Sequence, residues 1–248
     1  MLSPIPVHDV SINHLRSACS NCSLRELCLP TGLSQEDMQA VEALVTQGMP
    51  IKRGDALYRA GEPFKALYAV RLGFLKTSVI SEDGREQVTG FHMSGDLMGM
   101  DAISGDRHTC DAIALEDSEV CELPFSDMEK LSRQIPALQR HFYKVMSREI
   151  VSDHGVMLLL GNMKAEERVA AFLLNLSRRF QTRGYSSTGF HLRMTREEIG
   201  SYLGLKLETV SRTLSRFQDQ GLIKVQNRLI ELTDVCALKQ VLNNEQGA

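Results

Sequence analysis

The chain has 248 residues, 43% hydrophobic and 24% charged, so it is long enough for two folded domains and ordinary in composition for a globular protein. Every apolar stretch falls short of the roughly 20 residues that span a bilayer, and no charged-then-apolar signal segment opens the sequence. We therefore predict a cytoplasmic protein without a membrane partner, in which the six cysteines are ligands or free thiols rather than disulfides.

The net charge of −3 is unevenly distributed. Residues 161–248 carry 13 lysines and arginines against 9 acidic residues, a net charge of +4, whereas residues 1–160 carry −7. A mildly basic C-terminal third on an acidic body favours a nucleic-acid-binding module attached to a sensor domain. A chance imbalance of this size is the alternative.

Cysteines mark the first segment, predicted to comprise residues 1–33. Cys19, Cys22 and Cys28 have the spacing C-x2-C-x5-C, and Cys121 follows 93 positions later. Three thiols so close together can enclose one metal centre only if a fourth ligand comes from elsewhere in the fold. Thiolates select iron–sulfur clusters, zinc or Cu(I), and the spacing leaves these open. Structural zinc sites usually pair two closely spaced cysteine pairs, so zinc fits the pattern less well.

The second predicted segment comprises residues 34–135 and is mainly β-structure. Residues 34–48 indicate a short amphipathic helix with Ser34 as N-cap and Gly48 as its C-terminal stop. From about 51 to 124, short β-type runs alternate with glycine-containing turns, and Glu82-Asp83-Gly84 is a hairpin signal. The pattern predicts a small β-barrel.

Residues 136–161 predict one long helix, with Pro136 as its first residue. Six positions at spacings of 3, 4, 3, 4 and 3 form a heptad pattern: Tyr143, Met146, Ile150, Asp153, Met157 and Leu160. This pattern is typical of a two-stranded coiled coil, so we predict a homodimer interface; a helix packed on its own domain is the alternative. Asp153 would face its symmetry mate, and two like charges oppose association.

Residues 162–248 predict a DNA-binding domain. After a helix at about 164–183, Thr195 and Glu198 form a capping box, and a second helix follows Gly204 from about Leu207 to Gln220. Helix, short glycine-containing turn and helix make a helix-turn-helix. Residues 222–232 add a hairpin, so the domain is predicted to be a winged helix-turn-helix.

The second helix of this motif separates into two faces. Val210, Leu214 and Phe217 predict its buried face. Glu208, Ser211 and Arg212 have the chemistry of base-edge readers, and Thr209, Thr213 and Arg216 are candidates for phosphate contacts. An ordinary surface ion pair between Glu208 and Arg212 is the alternative.

These segments, in this order, resemble the cyclic-AMP-receptor/FNR family of bacterial transcription regulators. The resemblance extends from Cys19 to about residue 235. It is carried by the cysteine spacing and by the motifs EQVTGFHMSGDLMGMDAI (86–103), MLLL (157–160), AEERVAAFLLNLSRRF (165–180) and YLGLKLETVSR (202–212). The resemblance implies an α+β fold: an N-terminal β-barrel of the cyclic-nucleotide-binding type (a double-stranded β-helix), a long dimerisation helix and a C-terminal winged helix-turn-helix.

The resemblance also implies function. A [4Fe–4S] cluster held by Cys19, Cys22, Cys28 and Cys121 would support dimerisation and binding to palindromic double-stranded promoter DNA when oxygen is scarce. An acid at the position of Asp153 would oppose dimerisation until the cluster is present. Leu207, where cyclic-AMP receptors tend to have arginine, points to an FNR-type half-site. RNA polymerase is the expected partner, with a contact near Gly84-Arg85, and anaerobic metabolism genes are the expected targets.

Two alternatives are weighed against this interpretation. A cyclic-nucleotide-responsive regulator with a structural zinc site would need an Arg-Ser pair about ten residues after Gly95-Asp96, and the sequence there is Arg107-His108-Thr109. We therefore expect no cyclic nucleotide. An enzyme would need a nucleophile–base–orienter set, and neither His92 nor His141 belongs to one in the sequence, so we predict no catalytic residues.

The two remaining cysteines, Cys110 and Cys236, have no counterpart in the ligand pattern. Cys110 falls in a strand-like run and Cys236 in the predicted C-terminal helix. Both are predicted to be small buried hydrophobic residues.

Overall fold

The computed structural model describes residues 19–242, so residues 1–18 of the predicted cysteine segment and residues 243–248 of the DNA-binding domain lie outside the described part. Its α-helices are α1 (Arg25–Cys28), α2 (Gln35–Leu44), α3 (Phe125–Gln134), α4 (Pro136–Asn162), α5 (Ala165–Gln181), α6 (Arg196–Leu203), α7 (Leu207–Asp219) and α8 (Val235–Val241). Its strands are β1 (Thr46–Ile51), β2 (Ala56–Tyr58), β3 (Ala66–Leu72), β4 (Phe74–Ile80), β5 (Glu86–Met93), β6 (Leu97–Met98), β7 (Asp111–Ala114), β8 (Ser118–Pro124), β9 (Gly189–His191), β10 (Ile223–Gln226) and β11 (Leu229–Leu232). None of the helices between residues 19 and 242 has the length and apolar character needed to cross a membrane.

The first eight strands form two antiparallel four-stranded sheets, in the orders β1-β8-β3-β6 and β2-β7-β4-β5. Apolar side chains from both sheets fill the space between them, among them Val70, Leu75, Met98 and Val120, each at most 2% exposed. The predicted barrel is confirmed. Strands β1 and β6 are additional to those expected from the sequence.

The predicted helix over residues 34–48 is wrong at its C-terminal end. Ser34 does cap the helix, since its Oγ accepts a hydrogen bond from the Asp37 amide at 3.0 Å. The helix ends at Leu44, however, and Gly48 lies in strand β1, where a bulge interrupts the pairing with β8. The ladder with β8 satisfies the backbone groups that the helix would otherwise have bonded.

A small apolar core joins the cysteine segment to the long helix α4. Leu29, Met38 and Val41 pack with Ile135 and Leu138, and the side chains of Cys19 and Cys28 lie against this cluster. Helix α4 begins at Pro136 and continues for 27 residues, about 40 Å at 1.5 Å per residue, as the sequence predicts.

Helices α5–α8 and strands β9–β11 form the C-terminal domain. Val210, Leu214 and Phe217 are at most 3% exposed, which confirms the predicted buried face of α7. Strands β10 and β11 pair as the predicted hairpin, with Asn227 at a positive φ of 56° in its turn. Strand β9, which pairs with β11, is additional to the sequence prediction.

The C-terminal domain packs directly on the barrel. Lys76, on β4, is only 8% exposed and lies 2.9 Å from Glu86 and 3.1 Å from Glu198 of α6. The hydroxyl of Ser201 accepts a hydrogen bond from the Val88 amide at 2.8 Å. Strands β4 and β5 of the barrel therefore support the first helix of the helix-turn-helix.

Candidate functional site: a cysteine cluster and a DNA-recognition helix

The fold brings together the four cysteines that the sequence selects. Cys19 lies in a 3-10 turn, Cys28 ends helix α1, and Cys121 lies in β8, paired with Ala69 of β3. Thiolates at Cys19, Cys22, Cys28 and Cys121 would interact electrostatically in all six pairwise combinations. The two segments that carry these thiols, remote in sequence, therefore lie within electrostatic range of each other.

Burial raises the pKa of three of these thiols, those of Cys19, Cys28 and Cys121. Burial, and then the neighbouring thiolates, raise the pKa of Cys28 to about 12 and that of Cys19 to about 11. Burial likewise raises the pKa of Cys121, although the Gly48 backbone and Arg71 act in the opposite direction. Because cysteine coordinates a metal as the thiolate, binding a metal centre here would release protons.

The cysteine segment is anchored on both neighbouring helices. The Ser20 amide donates to Glu42 of α2 at 2.6 Å, and Gln47 Nε2 donates to Cys19 Sγ at 3.4 Å. Burial lowers the pKa of His141, on α4, and the nearby backbone of Cys28 acts in the opposite direction. A candidate ligand residue therefore lies beside the long helix.

The donor set fits a thiolate-bound cluster in kind and number. Cluster ligation of the four-thiolate type needs four cysteines, and the four neighbouring thiols supply them. Within residues 19–242, however, no three or more Cys, His, Asp and Glu side chains are placed to hold a metal ion. Within this part of the chain the cysteines are neighbours without converging on one point.

The other two cysteines differ from each other. Cys110 is 7% exposed in the barrel core, as predicted, and burial raises its pKa to about 12. The prediction for Cys236 is wrong, because its side chain is exposed on α8. The short amphipathic helix α8 buries Leu238 instead.

The helix-turn-helix has the predicted local interactions. Thr195 Oγ1 accepts from the Glu198 amide at 3.1 Å, and Glu198 accepts from the Thr195 amide at 2.7 Å, so the capping box is confirmed. Gly204 ends α6 with a φ of +61°. The turn passes so close to Gly200 that a Cβ there would lie 2.5 Å from the Leu205 carbonyl oxygen, so a side chain would prevent this packing.

Recognition helix α7 presents most of the predicted DNA-contacting residues to solvent. Glu208 and Arg212 are exposed, and Thr209 and Ser211 are partly exposed. No ion pair between Glu208 and Arg212 is formed within the described residues; Arg212 Nε instead donates to the Glu208 carbonyl at 3.4 Å. The simple ion-pair interpretation therefore has no support here.

Two of the predicted phosphate contacts are placed differently. Thr213 is 6% exposed, on the side of α7 that packs on the core, so its side chain is not presented to a ligand. Arg216 is exposed and forms an ion pair with Glu166 of α5.

Helix α4 carries a row of exposed apolar side chains. Tyr143, Ile150 and Met157 are 58%, 53% and 69% exposed, Met146 is partly exposed, and Asp153 lies exposed between them. Leu160 differs, because it packs against the core of the C-terminal domain. The predicted interface residues thus form one face, except at its last position.

Two family models match this chain. The cyclic nucleotide-binding domain matches residues 49–134, and the Crp-like helix-turn-helix domain matches residues 167–241. The fumarate and nitrate reduction regulatory protein of Escherichia coli is 45% identical over 229 residues, 92% of each chain. The chain belongs to the CRP/FNR family of transcription regulators.

Further relatives agree with this assignment. The transcriptional activator protein Anr of Pseudomonas aeruginosa is 47% identical over 223 residues, 89% of this chain and 91% of its own. The structure of FixK2 from Bradyrhizobium japonicum matches with a TM-score of 0.73 and 33% identity, covering 79% of this chain and 96% of that one. The predicted α+β fold class is confirmed, and the chain is a DNA-binding regulator rather than an enzyme.

The β5–β6 loop of this CRP/FNR chain carries an interaction absent from our sequence prediction. Asp96 accepts hydrogen bonds from Arg179 of α5 and from Arg183, two residues after that helix ends, each at 2.5 Å, and from the Met93 amide at 2.8 Å. Local periodicity could not indicate this ion pair, because its partners lie more than 80 residues apart. In the sequence, the motif Gly95-Asp96-Leu97 was the one local feature that marked this loop.

Proposed function

We propose that this chain is an oxygen-responsive transcription regulator of the cytoplasm. In this proposal Cys19, Cys22, Cys28 and Cys121 hold a [4Fe–4S] cluster, and the chain dimerises through α4 to bind palindromic promoter DNA when oxygen is scarce. The electrostatic proximity of the four thiols carries the proposal. The names of the fumarate and nitrate reduction relatives add support.

The protein's own contacts suggest how the cysteine site would influence α4. When bound, the cluster would supply an oxygen-labile cross-link between the cysteine segment and β8. The same segment packs beside Leu138 at the start of α4, and the backbone of Cys28 lies close to the ring of His141, one turn further on. Order in the segment would therefore steady the N-terminal half of α4.

The α4 face supports a second copy of this chain as its partner. Regulators of this family act as dimers, and large exposed apolar side chains on one helix mark an interaction surface. Asp153 would weaken association, because it approaches its symmetry mate, and Glu149 lies one turn before it. Burial and the nearby Asp153 raise the pKa of Glu149, consistent with crowded carboxylates.

We also propose that the barrel binds no cyclic nucleotide. Arg107 Nη1 donates to the Gly61 carbonyl at 2.6 Å, and His108 is 4% exposed and stacks on Tyr58 at 3.7 Å between ring centroids. Asp96 is committed to two arginines. Calorimetry with cyclic AMP should show no binding; heat with one-to-one stoichiometry would reverse this view.

RNA polymerase is the proposed protein partner. The β4–β5 turn, in which Arg85 donates to Asp83 at 2.6 Å, is exposed and available for such a contact. Replacing Gly84-Arg85 should lower transcription in vitro while leaving DNA affinity unchanged.

The cluster proposal is tested by comparing Cys121→Ala with Cys236→Ala, since each removes one thiol and Cys236 is exposed outside the site. Protein purified without oxygen should contain about four irons per chain in the wild type and Cys236→Ala, and far less in Cys121→Ala. Zinc in place of iron would refute the cluster.

DNA binding by the same three proteins tests the oxygen response. Titration of a promoter duplex under nitrogen and in air should show oxygen-sensitive binding by the wild type and Cys236→Ala only. Binding that is equal in air and nitrogen for the wild type and Cys121→Ala would remove the sensor function. A further variant, Asp153→Ala, should shift the chain toward dimer in air, as sedimentation would show.

A further inference from the structure

Arg168, near the start of α5, makes three hydrogen bonds to backbone carbonyls. Its Nε donates to Met163 at 2.9 Å, Nη2 to Leu160 at 2.8 Å, and Nη1 to Leu203 at 3.0 Å. The first two acceptors belong to the end of α4 and the third to the last residue of α6. One side chain therefore joins the long helix to the helix-turn-helix.

These carbonyls need such a partner. The last four carbonyls of a helix accept no hydrogen bond from an amide of the same helix, and the helix dipole places partial negative charge on them. Helix α4 ends at Asn162 and α6 at Leu203, so the Arg168 guanidinium lies at two negative helix ends at once. A planar guanidinium with fixed donor directions can serve several acceptors in a way that an ammonium cannot.

The surrounding packing leaves little freedom at this junction. Leu159 is 9% exposed, and Leu160 and Met163 lie against the core of the C-terminal domain. A Cβ at Gly204 would lie 3.3 Å from both Arg168 Nη1 and Leu160 Cδ2. The end of α4 and the turn before α7 are thus in contact.

We propose that Arg168 is a positioning residue for DNA binding: it fixes the direction of the recognition helix relative to the dimerisation helix. The inference rests on the proposed dimer through α4. In such a dimer, two copies of this junction set the separation and relative rotation of the two α7 helices. Half-site spacing on DNA would then be selected partly by a residue that contacts no DNA.

The preference for one half-site spacing distinguishes the two roles of Arg168. Loss of a residue that only stabilises the fold would leave this preference unchanged. Inserting one base pair between half-sites rotates one of them by about 35° and moves it by about 3.4 Å, given roughly ten base pairs per turn. A fixed junction resists this mismatch, whereas a loosened junction accommodates it. The ratio of the two dissociation constants therefore measures the rigidity of the junction.

The experiment uses full-length protein prepared under nitrogen and two duplexes: the site that the wild type selects from a random pool, and that site with one base pair inserted at its centre. Arg168→Gln removes the guanidinium group that makes the three hydrogen bonds, and Arg178→Gln removes the same charge from an exposed position of α5. We expect the ratio to fall at least about tenfold in Arg168→Gln, the low end for losing charged hydrogen bonds, and to stay at the wild-type value in Arg178→Gln.

The outcomes separate this inference from the proposed function. A wild type that does not discriminate the duplexes overturns the proposed dimer and the inference together. A wild-type ratio that survives in Arg168→Gln overturns the positioning role alone. If Arg168→Gln does not fold, Arg168→Lys decides: it keeps the charge without the guanidinium group, and a wild-type ratio would again overturn the role.

Discussion

Replacing Asp96 with asparagine tests the ion pair that holds the C-terminal domain on the barrel. The substitution leaves the guanidinium groups of Arg179 and Arg183 partly buried without their carboxylate. Removing one partner of a fully buried pair costs about 3–5 kcal/mol, whereas surface pairs contribute about 0–1 kcal/mol. The side chains of Asp96, Arg179 and Arg183 are 23%, 25% and 7% exposed, so the environment lies between these limits. We expect Asp96→Asn to lower the free energy of unfolding by about 2–3 kcal/mol.

Urea denaturation followed by circular dichroism measures this loss, and Asp117→Asn is the matched control. Asp117 pairs with Lys52 at 2.9 Å, but the two side chains are 65% and 74% exposed. The control should change the free energy of unfolding by less than about 0.5 kcal/mol. A loss below about 0.5 kcal/mol for Asp96→Asn as well would refute the reasoning.

The same comparison has a defined pH dependence. Burial alone would raise the pKa of Asp96, but Arg179 and Arg183 outweigh it and hold the pKa below the ordinary value of 3.8. A carboxylate with a depressed pKa stabilises the folded chain above the unfolded pKa, and that stabilisation is lost as pH falls through the folded value. The difference between wild type and Asp96→Asn should be complete at neutral pH and shrink below about pH 4. A difference that persists unchanged in acid would point to packing instead.

Three further variants test the DNA-binding domain. Thr195→Ala removes the hydrogen bond to the Glu198 amide and should cost about 1 kcal/mol of unfolding free energy, seen as a lower thermal midpoint; no shift would deny the cap a role. Phe217→Ala empties a site that is 0% exposed and should cost about 3–5 kcal/mol, which a loss below 1 kcal/mol would contradict. Arg212→Ala should weaken discrimination at one base position by about 1–3 kcal/mol, measured with a panel of substituted half-sites, and a uniform loss over all sequences would make Arg212 a phosphate contact.

Sequence patterns predicted the elements whose interactions are local. The capping box of Thr195 and Glu198, the buried face of α7 and the β10–β11 hairpin follow from spacing and turn chemistry within a dozen residues. Strand β1 escaped prediction because Gly48 was interpreted as the C-terminal stop of a helix, and only the pairing with β8 makes this segment a strand.

The interactions between elements could not be predicted in this way. Arg168 belongs to an ordinary helical pattern, and nothing nearby indicates that its guanidinium reaches Leu203, 35 residues away. Cys236 lies on a helix too short for its periodicity to identify the buried side. The cysteine spacing predicted which thiols belong together, whereas their contact with α4 through His141 depends on tertiary packing.

The ion pairs of Asp96 in the β5–β6 loop limit how small molecules can act on the barrel. The carboxylate of Asp96 is occupied by two arginines of the same chain. A tethered group has an effective concentration in the millimolar range or above when its geometry is favourable. A diffusible cation would therefore have to compete for Asp96 with two arginines that are tethered beside it. Ordinary changes in metabolite concentration would consequently have little effect on this loop.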